Sequence, residues 1–249
     1  SGLSAPHPEL ESPQAASRQA ILKRALTSYY TKSIDTFDLM NRLEEDDLFG
    51  NYTFHIGGKC VSRDLLDSIN EIYFLDRHLN LSSRNHTTIL DVGAGYGRLA
   101  HRMVNALPTI SQYLCTDAFA ISSFICEYYI RYRNIENRAK MIPLFEIEEA
   151  IQKNHVDIAV NVHSFSECRP SAIDWWISLL AQSNVRYLMI VPNADELQTN
   201  DMVDFGNIIE RHGYRMIARD PKYQDPLVQK YAINPSIYYL FQLDKAMPV

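Results

Sequence analysis

Apolar positions along the chain follow two regimes. Over about 14–45 they recur at helical spacing, with Ile21, Leu22, Ala25 and Leu26 in one run and Phe37, Leu39, Met40 and Leu43 in a second. Ser33-Ile34-Asp35 supplies a break and a cap between two predicted helices. A loop follows, running from Asp47-Leu48-Phe49-Gly50-Asn51 through Tyr52-Thr53-Phe54-His55, and a third helix is predicted from Arg63 to Leu79. Residues 1–13 carry three prolines and little periodic apolar content, which predicts a flexible lead-in. From Thr87 onward short apolar runs alternate with helical ones, the pattern of βαβ units and a mainly parallel sheet. Strands are predicted near 87–92, 112–116, 139–142, 156–162 and 185–191, and helices near 96–107, 119–134, 145–153, 171–183 and 201–212. Two last strand-like runs, 214–219 and 236–243, are joined by a polar loop with Pro221, Pro226 and Pro235 and suit an antiparallel pair at a sheet edge.

The first strand, Thr87-Thr88-Ile89-Leu90-Asp91-Val92, runs straight into Gly93-Ala94-Gly95-Tyr96-Gly97 and an amphipathic helix. Glycines at such a turn let the chain reverse sharply and let a ligand touch bare backbone N–H groups at a helix N-terminus. About 20 residues beyond Gly97 the second strand ends in Asp117, where a carboxylate can accept from both hydroxyls of a ribose. Turn and acid together specify a nucleoside cofactor. Asp91, a carboxylate just before the turn, suits the cationic aminoacyl end of S-adenosylmethionine better than a pyrophosphate, which favours methyl transfer over hydride transfer.

At these residues the sequence resembles the class I methyltransferases, and more narrowly the sugar O-methyltransferase family. The narrower likeness is carried by Phe49-Gly50-Asn51, Val61-Ser62-Arg63-Asp64-Leu65-Leu66, the run from Asp91 to Leu99, Tyr128-Tyr129, and Asn161-Val162-His163-Ser164-Phe165-Ser166-Glu167. It departs at Asp117-Ala118-Phe119, where that family tends to have Asp-Leu-Pro, and at Cys168, where methionine is common. The resemblance implies an α/β, doubly wound sheet of seven strands in the order 3-2-1-4-5-7-6, with an N-terminal helical extension. It divides the chain into a helical cap over 14–84 and an S-adenosylmethionine-binding domain over 85–249. Asp91, Gly93, Ala94, Gly95, Gly97 and Asp117 then form the cofactor set, joined by Ala118 and Phe119 after the second strand, Phe145 and Glu146 after the third, and Asn161 on the fourth.

The fourth strand delivers the segment from Asn161 to Glu167 to the carboxyl edge of the sheet, where open α/β sheets bind ligands. An alcohol acceptor must lose a proton during methylation, and His163 has a suitable unperturbed pKa for taking it. Glu167 is positioned to orient the imidazole or to meet substrate hydroxyls. Tyr52 and His55 are candidates for substrate contact, with His55 a second candidate base. Asp195 and Glu196 with Glu167 would make a carboxylate site for a divalent ion, although a solvated acidic turn explains them more simply. The segment 220–231 is a candidate specificity lid.

The 249 residues, 46% of them hydrophobic, suffice for one sizeable core. A formal net charge of -6 supplies no global positive field for nucleic acid, so a small-molecule substrate, a sugar or glycosylated metabolite, is expected. Cys60, Cys115, Cys126 and Cys168 form neither a CxxC pair nor metal-finger spacing, as in a reducing cytoplasm. No apolar run approaches membrane-spanning length, and no leader pattern is present, so the expectation is a cytoplasmic protein without membrane attachment. Methylation of another natural product, at oxygen or nitrogen, and non-catalytic cofactor binding remain as alternatives.

Overall fold

The computed structural model describes residues 13–244. The lead-in expected over 1–13 therefore lies outside the described residues, apart from Pro13, which opens α1 (Pro13–Ile34). The predicted break ends this helix. The carboxylate of Asp35 accepts from the backbone amides of Leu39 (2.7 Å) and Met40 (2.8 Å), starting the short α2 (Leu39–Arg42), and Tyr73 donates to the same group.

The residues expected to continue the loop at 53–55 instead form a hairpin, β1 (Thr53–Ile56) against β2 (Lys59–Ser62). Its turn is Gly57-Gly58, both at positive φ (59° and 82°), the conformation a two-residue hairpin turn demands. The second strand runs directly into α3 (Arg63–Leu79), whose first turn is capped by the Ser62 hydroxyl accepting from Leu65 N–H at 2.8 Å.

The alternating region then builds β3 (Thr87–Val92), α4 (Arg98–Ala106), β4 (Ile110–Thr116), α5 (Ala120–Tyr132), β5 (Ala139–Met141), α6 (Ile147–Asn154) and β6 (Ile158–Val162). It continues through α7 (Ser164–Glu167), α8 (Pro170–Gln182), β7 (Tyr187–Val191), α9 (Gly206–Arg211), β8 (Tyr214–Pro221), α10 (Pro226–Tyr231) and β9 (Ile237–Leu243). The large sheet has the order β5-β4-β3-β6-β7-β9-β8. Numbered within that sheet this is 3-2-1-4-5-7-6, the expected order, with β9 antiparallel to both neighbours. The single-turn helices α7 and α10 were not predicted, and the helix expected over 201–212 contracts to α9 because an isolated bridge, Gln198 to Asp204, occupies the chain before it.

Strand alternation splits the interior into two cores. Ile89, Tyr113, Cys115, Ile158 and Met189 face the side covered by α3 and α4, whereas Leu90, Leu114, Ala159, Leu188 and Ile190 face α6, α8 and α9. Burial of each such aliphatic side chain contributes roughly 1.5–3 kcal/mol. Helix α3 is buried at every position from Leu65 to Leu75, so it shares the first core and carries its polar side chains into the protein. Cys115 and Cys126 are buried free thiols. Among the described residues no helix is long and apolar enough to cross a membrane.

Candidate active site

The glycine turn is lashed to the end of β4: the N–H groups of Gly93 and Ala94 both donate to the Thr116 carbonyl, at 2.9 and 3.0 Å. Gly93 has φ 80°, and a Cβ there would lie 2.1 Å from Ser164 Oγ; at Gly97 (φ 86°) it would lie 2.9 Å from Cys126 Sγ. Those two glycines let α7 and α5 approach. Gly95 differs, since nothing lies within 4 Å of where its Cβ would stand, which leaves that backbone open to a ligand. Its N–H donates to Asp117 Oδ2 at 3.1 Å, while Phe119 N–H donates to Oδ1 at 2.9 Å. Each carboxylate oxygen retains a second lone pair for a ribose hydroxyl.

A cavity of about 210 Å³ lies beside the turn, lined by Asp91, Gly93, Ala94, Gly95, Arg98 and His163 together with Arg63, Asp64 and Asp67 from α3. Asp91 is 3% exposed and accepts a hydrogen bond from Tyr113 Oη at 3.0 Å. Burial pushes its carboxyl up to about 7, with Glu71 and Asp117 adding to the rise and Tyr113 and Arg98 opposing it. At neutral pH this group is balanced between charge states, so a bound cation would draw it into the ionised form.

His163 sits where β6 gives way to α7, at φ 71° and ψ −33°, a region non-glycine residues seldom occupy. Its N–H donates to the Val191 carbonyl at 2.7 Å, and its own carbonyl accepts from Ser166 N–H at 3.1 Å. Nδ1 is buried without a hydrogen-bond partner. Burial lowers the pKa of the ring below the usual 6.5, with Arg98 and Lys222 helping and Glu71 and Asp67 opposing. The imidazole is therefore neutral at physiological pH.

Several expected residues stand elsewhere. Glu167 does not reach His163: the helical turn of α7 carries it to an exposed position, and no hydrogen bond joins the two among the described residues. The acids whose charge is felt at His163 are Glu71 and Asp67. Asn161 is fully buried, donating to the Val92 carbonyl (2.8 Å) and Ser164 Oγ (2.5 Å) and accepting from Phe165 N–H (3.0 Å), so it braces the turn and has no surface left for a cofactor. His55 is exposed because the alternation that turns Phe54 inward along β1 turns His55 outward. Glu146 lines a separate depression of about 220 Å³ with Lys140, Glu149 and Lys153. Ala118, Phe119 and Phe145 lie exposed at the carboxyl edge, the last two by 71% and 86%. Glu196 is paired with Arg219 at 3.1 Å, and Asp195 offers its carbonyl to Tyr239. Arg131, Arg133 and Arg138 form no common basic face: Arg131 is on Glu127, Arg133 on Asp46 and Arg138 on the carbonyls of Val104, Leu107 and Ile110.

The residues that sequence reasoning missed come from α3 and its partners. Asp64, Asp67, Ser68 and Glu71 fall at helical positions i, i+3, i+4 and i+7, a polar stripe along the helix that its sequence spacing displays. Arg98 donates to Ser68 Oγ at 2.7 Å and pairs with Glu71 at 3.4 Å. Burial pushes the Asp64 carboxyl up, but the guanidinium groups of Arg98 and Arg63 outweigh it and hold its pKa below the usual value. Lys222, almost wholly buried, pairs with Asp67 and donates to the Asn234 carbonyl. Glu45 accepts from Arg102 (2.7 Å), Ser62 and Asn51 (2.9 Å), fastening the segment before the hairpin to α4.

A larger cavity of about 720 Å³ meets the first one at Arg63 and Asp64, which line both. Its walls are Lys23 and Arg24 of α1, Gly50 to Tyr52, Phe54, and residues 232–235. The candidate lid reaches α1, where Tyr223 meets Tyr30 edge to face at 5.3 Å and Gln224 N–H donates to Tyr30 Oη; just beyond it Ile233 N–H donates to Thr27 Oγ1.

No protein-family model matches the chain, and no curated protein matches it in sequence. Solved structures match the fold. Geranyl diphosphate C-methyltransferase from Streptomyces coelicolor A3(2), solved with magnesium, geranyl diphosphate and S-adenosyl-L-homocysteine, is 10% identical with a TM-score of 0.54, over 86% of this chain and 98% of that one. The 4+2 cyclase SpnF is 13% identical with a TM-score of 0.54, over 88% and 95%. A Streptococcus pneumoniae protein proposed as a tRNA (m1A22) methyltransferase, solved with S-adenosyl-L-methionine, is 11% identical with a TM-score of 0.52, over 72% and 74%. The chain has the fold of the S-adenosylmethionine-dependent methyltransferases of class I.

Proposed function

We propose that this protein is an S-adenosylmethionine-dependent O-methyltransferase acting on a hydroxyl of a small molecule, a sugar or glycosylated metabolite. Fold alone does not decide the reaction, since SpnF is a cyclase on the same architecture. The observation that carries the reading is a neutral His163 lining the same cavity as Asp91 and the glycine turn. The residues fit the cofactor: Gly95 leaves room for it, Asp117 has lone pairs for its ribose, and Asp91 is a buried carboxyl awaiting a cation. When bound, S-adenosylmethionine supplies a methyl group on a positively charged sulfur, which keeps the C–S electron pair as the methyl leaves. The imidazole of His163 would take the proton of the acceptor hydroxyl during that transfer. A small acceptor is supported by the net charge and by a 720 Å³ cavity, within the range of small-molecule sites.

Calorimetry with S-adenosylmethionine and S-adenosylhomocysteine tests the cofactor. Both are expected to bind, and Asp117→Ala to weaken binding by about 1–3 kcal/mol in a folded protein, because ribose hydroxyls lose a charged acceptor. Absence of heat with either, alongside binding of a nicotinamide dinucleotide, would overturn the reading.

The pH dependence of binding follows from Asp91. Its carboxyl is protonated below about 7 in the free protein, so binding an ammonium group there must expel a proton. Affinity for the cofactor should therefore rise with pH up to about 7 and then level off. Asp91→Asn should remove that rise as well as weaken binding; an unchanged pH profile in this variant would assign the ammonium to another group.

A further inference from the structure

We infer that the acceptor carries a phosphoryl group, seated against Lys23, Arg24 and Arg63 in the larger cavity, an inference that rests on the methyltransferase reading for what the cavity's occupant is. The lining holds three cations against one carboxylate, Asp64, in a protein whose formal net charge is -6. Among the described residues neither Lys23 nor Arg24 has a carboxylate partner within salt-bridge distance. Ala20, Lys23 and Arg24 stand at i, i+3 and i+4 of α1, so they share one face, and the small side chain of Ala20 leaves space before the two cations. Arg24 is stacked over the Phe54 ring at 5.1 Å, which holds its guanidinium at the cavity wall while leaving its N–H groups free to donate in the ring plane. Arg63 contacts Asp64 at 3.1 Å and Asp67 at 3.7 Å and retains further donors.

Cations gathered in a concavity repel one another until an anion joins them, and a surplus of two positive charges matches a phosphoryl group of about −1.5 to −2. Asn51, Tyr52 and Asn234 add hydroxyl-binding chemistry to the same walls. Because Arg63 and Asp64 also line the cavity of His163, an occupant held by its phosphoryl end at α1 extends toward the base. A sugar phosphate and a nucleotide-linked sugar share this chemistry. The three cations occupy one cavity and form no stripe of the kind that follows a nucleic-acid backbone.

The test is calorimetry on the full chain, with and without saturating S-adenosylhomocysteine, using glucose, glucose 1-phosphate, uridine diphosphate glucose, inorganic pyrophosphate and a single-stranded RNA oligonucleotide as probes. At least one phosphorylated small probe is expected to bind about tenfold or more tightly than glucose. The double variant K23M/R24M should lose that preference and keep its affinity for S-adenosylhomocysteine. Glucose binding as tightly as every phosphorylated probe, or a double variant that retains the preference, overturns the inference, as does the absence of binding by any phosphorylated probe. RNA binding more tightly than all small probes, with a steep salt dependence, also overturns it in favour of a nucleic-acid substrate. Failure to bind S-adenosylhomocysteine tells against the cofactor reading alone, because the phosphoryl probes are titrated without it as well.

Discussion

His163→Ala is expected to bind cofactor nearly as the parent does and to lose about 10²–10⁴-fold in turnover on an alcohol acceptor. The size follows from the role: a positioned base acts on the chemical step, whereas the glycine turn, Asp91 and Asp117 act on binding. A pH profile separates the two. Burial lowers the pKa of the imidazole, so the base form persists as pH falls and kcat should decline only at a lower pH than an ordinary histidine would impose. Asp91 has its midpoint near 7, so kcat/KM for the cofactor should fall at higher pH than kcat does. Full turnover by His163→Ala across this range would remove the base role, and chelator-sensitive turnover would move hydroxyl activation to a metal ion.

Lys222→Met is expected to destabilise the fold by about 3 kcal/mol or more, since it leaves the Asp67 carboxylate buried without its ammonium partner. Arg63, at 3.7 Å from Asp67, offsets part of the loss. The same substitution frees the segment that begins at residue 222 from α3, so the acceptor KM should rise. Urea denaturation measures the first effect, and the double variant with Asp67→Leu should recover much of the stability by removing the stranded charge. A loss below about 1 kcal/mol in the single variant would mean that Asp67 reaches water or another cation.

Local chemistry made much of the fold legible. The bounds of α3 follow from Ser62 as its cap, and those of β3 from an apolar run closed by the glycine turn. The hairpin at 53–62 escaped because its strands have four residues each, too few for alternation to register, although Gly57-Gly58 was the available signal. The cofactor side of the site is a sequence motif because one βαβ unit builds it. The larger cavity is not, because Lys23, Arg63 and Asn234 come together only through tertiary packing. Glu167 misled because closeness in sequence to His163 does not set side-chain direction: α7 turns Phe165 and Ser166 into the protein and Glu167 out to solvent.

The walls of the larger cavity belong to residues 20–24, 50–54, 63–64 and 232–235, whereas the glycine turn belongs to β3, β4 and the residues between them. Tyr30 and Gln224 are 194 positions apart, and Thr27 and Ile233 are 206 apart, while Gly95 and Asp117 are separated by 22. Apart from Arg63 and Asp64, which line both cavities, the walls of the larger cavity are therefore mutable without touching the glycine turn. Side chains at the outer walls can be exchanged without altering a residue of the glycine turn, so long as the Lys222–Asp67 joint still docks one wall onto the scaffold.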